Sequence, residues 1–281
     1  MLELGPSRTA LFMAAYRARA TRAPNAICRD EWAAELAGEE GFDLAKKYDA
    51  VYGHMELWTA VRTAFIDQRV RRALSPAWGM KQIVILGAGL DTRAARLSFP
   101  GVRFFEVDHP ESQAHKRRRI EAASGYPVQS ASYVPCDFEK QDFLDQLVRS
   151  GFREVEPAFF VWEGVTPYLT EAAVRSTLRR VATGTSPSSV VVFDHLRKKI
   201  VAGDVADPND LQSREFVGDL GEPLRWGTDD VLPVLYSEGF RRVRVTSFDE
   251  ACLDFTGTYE RDRKFRFQSM AVASRGAGEL P

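Results

Sequence analysis

From residue 81 onward the chain alternates between short apolar runs and amphipathic stretches of helical length. KQIVILGAG, VRFFEVD, SYVPCD, PAFFVWEG and SSVVVFDH are rich in β-branched and aromatic residues and stop at Gly, Asp or His, which predicts strands. Between them TRAARL, PESQAHKRRRIEAA, FLDQLVRS and EAAVRSTLRRVA carry the period of amphipathic helices. This alternation predicts βαβ units and an α/β fold whose parallel sheet is covered on both faces. RRVRVTSF and KFRFQSMAVAS follow with no obvious long helix between them and predict an antiparallel pair that closes a seven-stranded, mostly parallel sheet.

Residues 1–75 lack strand patterning. LFMAAYRARA and MELWTAVRTAFIDQRVRRAL are helical in period, with Leu57, Val61, Ala64 and Phe65 sharing one face, and predict a helical cap over 1–75 ahead of a sheet domain over 76–281. The stretch from Leu196 to about Trp226 breaks the rhythm by mixing Phe216, Leu220, Leu224 and Trp226 with turn formers. An insertion behind a strand tip is placed to cover a pocket, so a lid is expected over about 196–226. Phe216 and Trp226 there would suit a flat aromatic ligand or serve as local core.

With 44% hydrophobic and 27% charged residues the chain has an ordinary globular composition. A net charge of -1 offers no broad attraction for nucleic acid or an anionic membrane surface. No apolar run approaches the ~20 residues of a membrane span, and arginines interrupt the N-terminal apolar positions, which argues against a cleaved leader and for a cytoplasmic protein. Cys28, Cys136 and Cys252 are odd in number and far apart, so neither a disulfide framework nor a metal site is expected. The basic run Lys116–Arg119 reads as a solvated helix end, and the Leu, Phe and Tyr residues of the N-terminal arm, if exposed, would suit a homodimer.

In a parallel sheet ligands collect at the carboxyl ends of the strands, so the chemistry lies in what each strand carries there. The first ends in Gly87-Ala88-Gly89, a turn that lets a ligand approach the backbone. The second ends at Asp108, nineteen residues beyond Gly89, the interval at which a carboxylate can accept from ribose hydroxyls. Asp137 and Phe138 end the third and suit an adenine amino group and face, and Glu163 ends the fourth as a counter-charge for a cation. Asp91, where a dinucleotide loop would carry a third small residue, opposes a pyrophosphate; a nicotinamide oxidoreductase is disfavoured. Asp91 and Glu163 instead suit S-adenosylmethionine, whose sulfonium and ammonium are positive and whose carboxylate Arg62 or Arg93 could meet. Each acid taken singly could equally cap a helix.

VILGAGLDTRAARL, FFEVDHPESQAHKRR, YVPCDF and VWEGVTPYLTEAAV, in this order, resemble the leucine carboxyl methyltransferase family of S-adenosylmethionine-dependent enzymes. The resemblance implies a Rossmann-like methyltransferase domain. It assigns Arg62 to the cofactor carboxylate, Gly87 and Glu163 to the methionine end, Asp108 to the ribose, and Asp137 and Phe138 to the adenine. The family includes protein C-terminal carboxyl methyltransferases and bacterial enzymes of secondary metabolism that methylate small molecules, polyketide carboxyl groups among them. The expected activity is O-methyl transfer to a carboxylate or phenol of a small molecule, and the alternatives are a protein C-terminus methyltransferase and a non-catalytic S-adenosylmethionine-binding protein.

An ionised carboxylate needs no base, whereas a phenol, with a pKa near 10, gains from one. His195, beside Asp194 at the tip of the fifth strand, is the first candidate base, and Tyr168 in the EGVTPYL loop could hydrogen-bond an acceptor oxygen. His54 on the cap is a further candidate, while His109 and His115 look structural. A carboxylate acceptor would call instead for a cationic clamp from Arg17, Arg19, Arg22, Lys46 or Lys47.

Overall fold

A computed structural model describes residues 7–281 except 52, 139, 205–207, 259–265 and 277. The first six residues of the predicted cap, 205–207 of the predicted lid and 264–265 ahead of the last strand therefore lie outside the described residues.

Three helices open the chain: α1 (Arg8–Arg22), α2 (Ala33–Asp49) and α3 (Met55–Leu74). The sheet segment then runs β1 (Gln82–Leu86), α4 (Arg93–Arg96), β2 (Arg103–Asp108), α5 (Pro110–Ala122), β3 (Ser132–Pro135), α6 (Phe143–Arg149), β4 (Ala158–Trp162), α7 (Glu171–Gly184) and β5 (Val190–Leu196). After it come α8 (Lys198–Ala202), α9 (Pro208–Asp219), α10 (Leu232–Ser237), β6 (Arg242–Ser247), α11 (Phe248–Thr256) and β7 (Gln268–Ser274). The seven strands form one sheet in the order β3-β2-β1-β4-β5-β7-β6. All neighbours pair parallel except β7, which is inserted antiparallel between β5 and β6. This is the expected Rossmann-like α/β sheet with its antiparallel closing pair. The connection between β6 and β7, expected to lack a helix, contains α11, started by a capping box of Ser247 and Glu250.

Strand alternation sorts the core into two faces. Ile83, Ile85, Phe159, Val161, Val190 and Val192 point into a cluster shared with α1, α2, α3 and α11. Val84, Leu86, Phe105, Phe160, Val191 and Phe193 point the other way, toward α6, α7 and α10. The boundary expected at residue 75 falls between α3 and β1, whose side chains share the first cluster.

Helix α3 is buried almost all round: besides Val61, Ala64 and Phe65, its polar residues Thr59, Arg62, Thr63, Asp67 and Arg69 are buried too. Helix α2 has no counterpart in the expected elements. Gly38 in its middle adopts φ +58, a kink that breaks the apolar period. The aromatic and aliphatic residues of α1 that suggested a dimer surface turn inward, with Leu11, Phe12 and Tyr16 all buried within the chain.

The basic run on α5 also departs from expectation. Lys116 is 1% exposed and its Nζ donates to the Glu106 carboxylate and to the Asp91 carbonyl, while Arg119 donates to the Leu36 carbonyl at 2.9 Å. Gln113, Lys116 and Ile120 form the inner face of α5, so the spacing that seemed a solvated end contains a buried ion pair. Burial raises the Glu106 carboxyl to about 7 against the pull of Lys116.

Asp67 ties α3 to α4: its carboxylate accepts from Arg93 Nε at 2.7 Å and from Arg96 Nη1 at 2.6 Å, all three side chains being almost wholly buried. Removing one member of such a cluster strands the others without water. Asp67→Ala is expected to destabilise the fold by about 3–5 kcal/mol, read as a lowered midpoint in urea denaturation; a change under ~1 kcal/mol would mean that the cluster is a solvated surface pair.

Candidate functional site

One cavity of about 580 Å³ opens at the carboxyl ends of β1, β2, β4 and β5, a volume usual for a small-molecule site. Its floor is the turn after β1. Gly87 and Gly89 adopt φ +64 and +45, and a Cβ on Gly87 would come within 2.5 Å of Val165, so this position is closed to any side chain. Asp108 fixes the turn by accepting from Gly89 N at 2.6 Å and from His109 N at 2.7 Å, and it still lines the cavity. Burial raises its carboxyl, opposed by those two N–H groups. Asp137, paired with Lys140 at 2.7 Å, and Phe138 line the same end, where the Phe138 ring also packs on Phe143.

At the other end Arg62 reaches in from α3. Its Nε donates to Glu163 Oε1 at 2.8 Å and its Nη1 to Asp194 Oδ2 at 3.0 Å, while its guanidinium lies 3.9 Å over the Trp58 ring. Nη2 has no hydrogen-bond acceptor among the described residues. Glu163 also meets Arg93 Nη1 at 2.6 Å, and Arg93 pairs with Asp91 and Asp67. Burial would push the Glu163 carboxyl up, but Arg93 and Arg62 outweigh it and hold it at about 2. Asp91 thus serves the protein's own Arg93 and accepts from Arg93 N at 2.6 Å. The Arg17 guanidinium adds a link to the cap, donating to Asp30 at 2.8 Å and to the Leu90 carbonyl at 2.6 Å.

Of the expected site residues, Arg62, Gly87, Gly89, Asp108, Asp137, Phe138, Glu163 and Tyr168 come together around this cavity; His195 does not. Asp194 and His195 are consecutive on β5 and face opposite sides of the sheet. Asp194 faces the cavity, and the His195 ring lies between Phe193 and Trp226, with centroids 6.2 and 6.5 Å away. At a strand tip the two-residue period admits only every second side chain to the pocket. Burial lowers the His195 imidazole to about 4 despite Asp194. Asp194 and Gln268 are the site residues that sequence reasoning missed, and counting alternation back from Val190 and Val192 would have found the first.

The expected lid supplies Ile200, Arg214, Val217, Glu222 and Leu224 to the cavity wall. Trp226 is buried in the core on the opposite face, and Phe216 packs on Tyr48 and Phe12, with ring centroids 4.9 and 6.3 Å apart. Thr9 of α1 donates to Glu222, joining the two elements that cover the opening. Of the expected clamp cations, Arg17 lines the cavity, whereas Arg19 pairs with Asp49 and Glu56.

Residues 10–182 match the model of the leucine carboxyl methyltransferase family. The chain belongs to that family. Two bacterial relatives named as S-adenosyl-L-methionine-dependent methyltransferases are each 33% identical to it: one from Parafrankia over 198 residues, 68% of this chain and 63% of its own, and one from Mycobacterium tuberculosis over 209 residues, 69% and 67%. The chain thus spans about two thirds of the length of these relatives. A DUF574 family protein from Streptomyces avermitilis superposes with a TM-score of 0.68 at 13% identity, covering 95% of this chain and 97% of that one. A structure from Thermobifida fusca titled as a methyltransferase gives 0.65 at 16%, covering 98% and 97%. At these identities the two structures share the fold. Family, fold and cofactor are those of S-adenosylmethionine-dependent methyltransferases.

The cavity fits that cofactor. Six carboxylates line it (Asp91, Asp108, Asp137, Glu163, Asp194 and Glu222) against four cations, Arg17, Arg62, Lys140 and Arg214. The wall therefore favours a ligand with positive groups and disfavours a pyrophosphate. Arg62 Nη2 is one donor on this wall that no acceptor among the described residues takes up.

Two outcomes test these placements. Asp108→Ala should weaken S-adenosylhomocysteine binding by about 1–3 kcal/mol in calorimetry, and unchanged affinity would remove Asp108 from the site. Burial holds the folded His195 imidazole at about 4, below the ~6.5 of a free imidazole, so it withdraws stability as pH falls from ~6.5 toward 4. Glu106 works in the opposite sense between 7 and 4.5. Comparing His195→Phe with the parent isolates the histidine: the variant should gain, relative to the parent, on the order of 3 kcal/mol between pH 7 and pH 4 in urea denaturation. A pH-independent difference would show that the imidazole is solvated.

Proposed function

We propose that the protein transfers a methyl group from S-adenosylmethionine to the carboxylate oxygen of a small-molecule metabolite, forming a methyl ester. The observation that carries this reading is the direction of β5, which turns Asp194 toward the cavity and His195 away from it. The strongest candidate for deprotonating a phenol thus lies in the opposite core, and a carboxylate is the oxygen nucleophile already ionised at neutral pH. The family name points to the same class of acceptor.

When bound, S-adenosylmethionine supplies a methyl carbon activated by the positive sulfur. The work of the protein is to align, exclude water and hold charge. Glu163, kept ionised by Arg62 and Arg93, faces the positive end of the ligand. Asp108 and Asp137 with Phe138 address ribose and adenine. Beyond them Phe12, Met13, Tyr48, Met55, Ile200, Val217, Leu224 and Phe267 form an apolar lobe for the body of the acceptor. Tyr168 and Arg214 supply donors there, and burial raises the Tyr168 phenol, which keeps it a proton donor at neutral pH. The contact between Thr9 and Glu222 across the mouth supports a small acceptor over an extended peptide.

The test is transfer of labelled methyl from S-adenosylmethionine to three acceptor panels: small aromatic and aliphatic acids, matched phenols, and peptides ending in a free carboxylate. Label in the small acids that is released by mild base, as an ester releases methanol, is the expected result. Base-stable label on phenols would move the acceptor to a hydroxyl, label on the peptides would indicate a protein C-terminus, and cofactor binding without transfer to any panel would favour a binding protein.

A further inference from the structure

Arg62 is held by more than the two carboxylates it pairs with. Asp194 Oδ2, which accepts from Arg62 Nη1 at 3.0 Å, also accepts from Gln268 Nε2 at 2.7 Å, while Asp194 Oδ1 accepts from Gly164 N at 2.6 Å. Gln268 is oriented in turn, because its Oε1 accepts from Trp58 Nε1. The face of that same indole lies 3.9 Å beneath the Arg62 guanidinium. Trp58, Gln268, Asp194 and Arg62 thus close a ring of contacts, and all four are buried, with exposures of 9%, 1%, 1% and 5%. Trp58 and Arg62 are four residues apart on α3, so one helix face supplies the cation and its platform. Gln268 is the first residue of β7, paired with Leu196 in the antiparallel register, and lies far outside the stretch matched by the family model.

We propose that Trp58 and Gln268 are positioning residues that aim Arg62 Nη2 at the carboxylate of the cofactor's amino-acid portion. The inference rests on the cofactor reading above. A guanidinium with two of its nitrogens fixed to carboxylates and its face fixed on an indole has one direction left for its third nitrogen. The Gln268 amide prevents the Asp194 carboxylate from rotating and taking Arg62 with it. The indole makes both contacts at once, its edge steering the amide and its face the cation. Binding a carboxylate at Nη2 then orders no further side chain.

The test compares two ligands by calorimetry. S-Adenosylhomocysteine carries the amino-acid carboxylate, and 5′-methylthioadenosine has the same nucleoside and sulfur without it. Gln268→Leu should weaken S-adenosylhomocysteine about tenfold and leave methylthioadenosine within twofold. Trp58→Phe keeps a smaller ring beneath Arg62 and removes the N–H, so it should shift the same ligand in the same direction by a smaller factor. Gln268→Glu retains an acceptor for Trp58 but loses the donor to Asp194, and provides a second variant should the leucine not fold. The double variant Trp58→Phe, Gln268→Leu should lose less than the product of the two single losses, since the indole N–H acts through the amide. Equal losses for both ligands, or no loss for either, would overturn the positioning role. A parent protein that binds neither ligand would overturn the cofactor reading and this inference with it.

Discussion

The structure depends on an almost wholly buried run of alternating charges. Asp194, Arg62, Glu163, Arg93, Asp67, Arg96 and Asp30 follow one another in ion pairs from the tip of β5 to the loop before α2. Any member left alone would face the full desolvation penalty of an unpaired ion, so the run forms only when all its elements are in place. It contributes arrangement more than net stability, since apolar residues of equal volume could pack as well. What it arranges is the cavity: Arg62 and Glu163 belong to the run and to the wall, so helix α3 is bound into the sheet by the same contacts that shape the site.

That dual use explains what the sequence showed and what it hid. The strands and helices from residue 81 onward were legible because each buries a face whose period is its own, and the glycine turn and the acids at 108, 137 and 163 sit where strands must end. Helix α3 was readable as a helix, and the resemblance assigned its Arg62 to the cofactor, but its ion pairs were not legible, because a single-sequence period cannot show that Arg62 pairs with Glu163, 101 residues further along the chain. Lys116 repeats this case, its partner Glu106 lying inside a strand that reads as apolar. His195 is a different failure: the information was present in the alternation of VVVFDH, and adjacency to Asp194 obscured it. Gln268 left no local signal, since its role is defined by Trp58 and Asp194 on two other elements.

The charge pattern of the cavity also answers why Asp91 stands in the glycine turn. Its carboxylate pairs with Arg93 within the same turn and so completes the buried run. Along that run and its Arg17 branch, four guanidinium groups (Arg17, Arg62, Arg93 and Arg96) face five carboxylates (Asp30, Asp67, Asp91, Glu163 and Asp194). One negative charge is left over, and the members nearest the opening are Glu163 and Asp194. A ligand with a positive sulfur and an ammonium neutralises that excess, whereas a pyrophosphate would add to it.

The two halves of the cavity come from different parts of the chain, and this bears on specificity. Every group assigned to the cofactor lies within or at the edge of the family-matched residues 10–182 except Asp194 and Gln268, which act through Arg62. The far wall is drawn largely from beyond residue 182: Leu196, Ile200, Arg214, Val217, Glu222, Leu224 and Phe267. Its covering segment is anchored where Arg225 N and Trp226 N donate to the Pro167 carbonyl at 2.7 and 3.1 Å and the indole is buried in the opposite core, and again where Phe216 packs on Tyr48 and Phe12. Across the mouth Thr9 also donates to Glu222. This wall, fixed beside Tyr168 and packed on the cap through Phe216, shares no ion pair with the run among the described residues. Acceptor choice can therefore change by substitutions in 196–226 while the buried run, and with it the cofactor site, stays as it is.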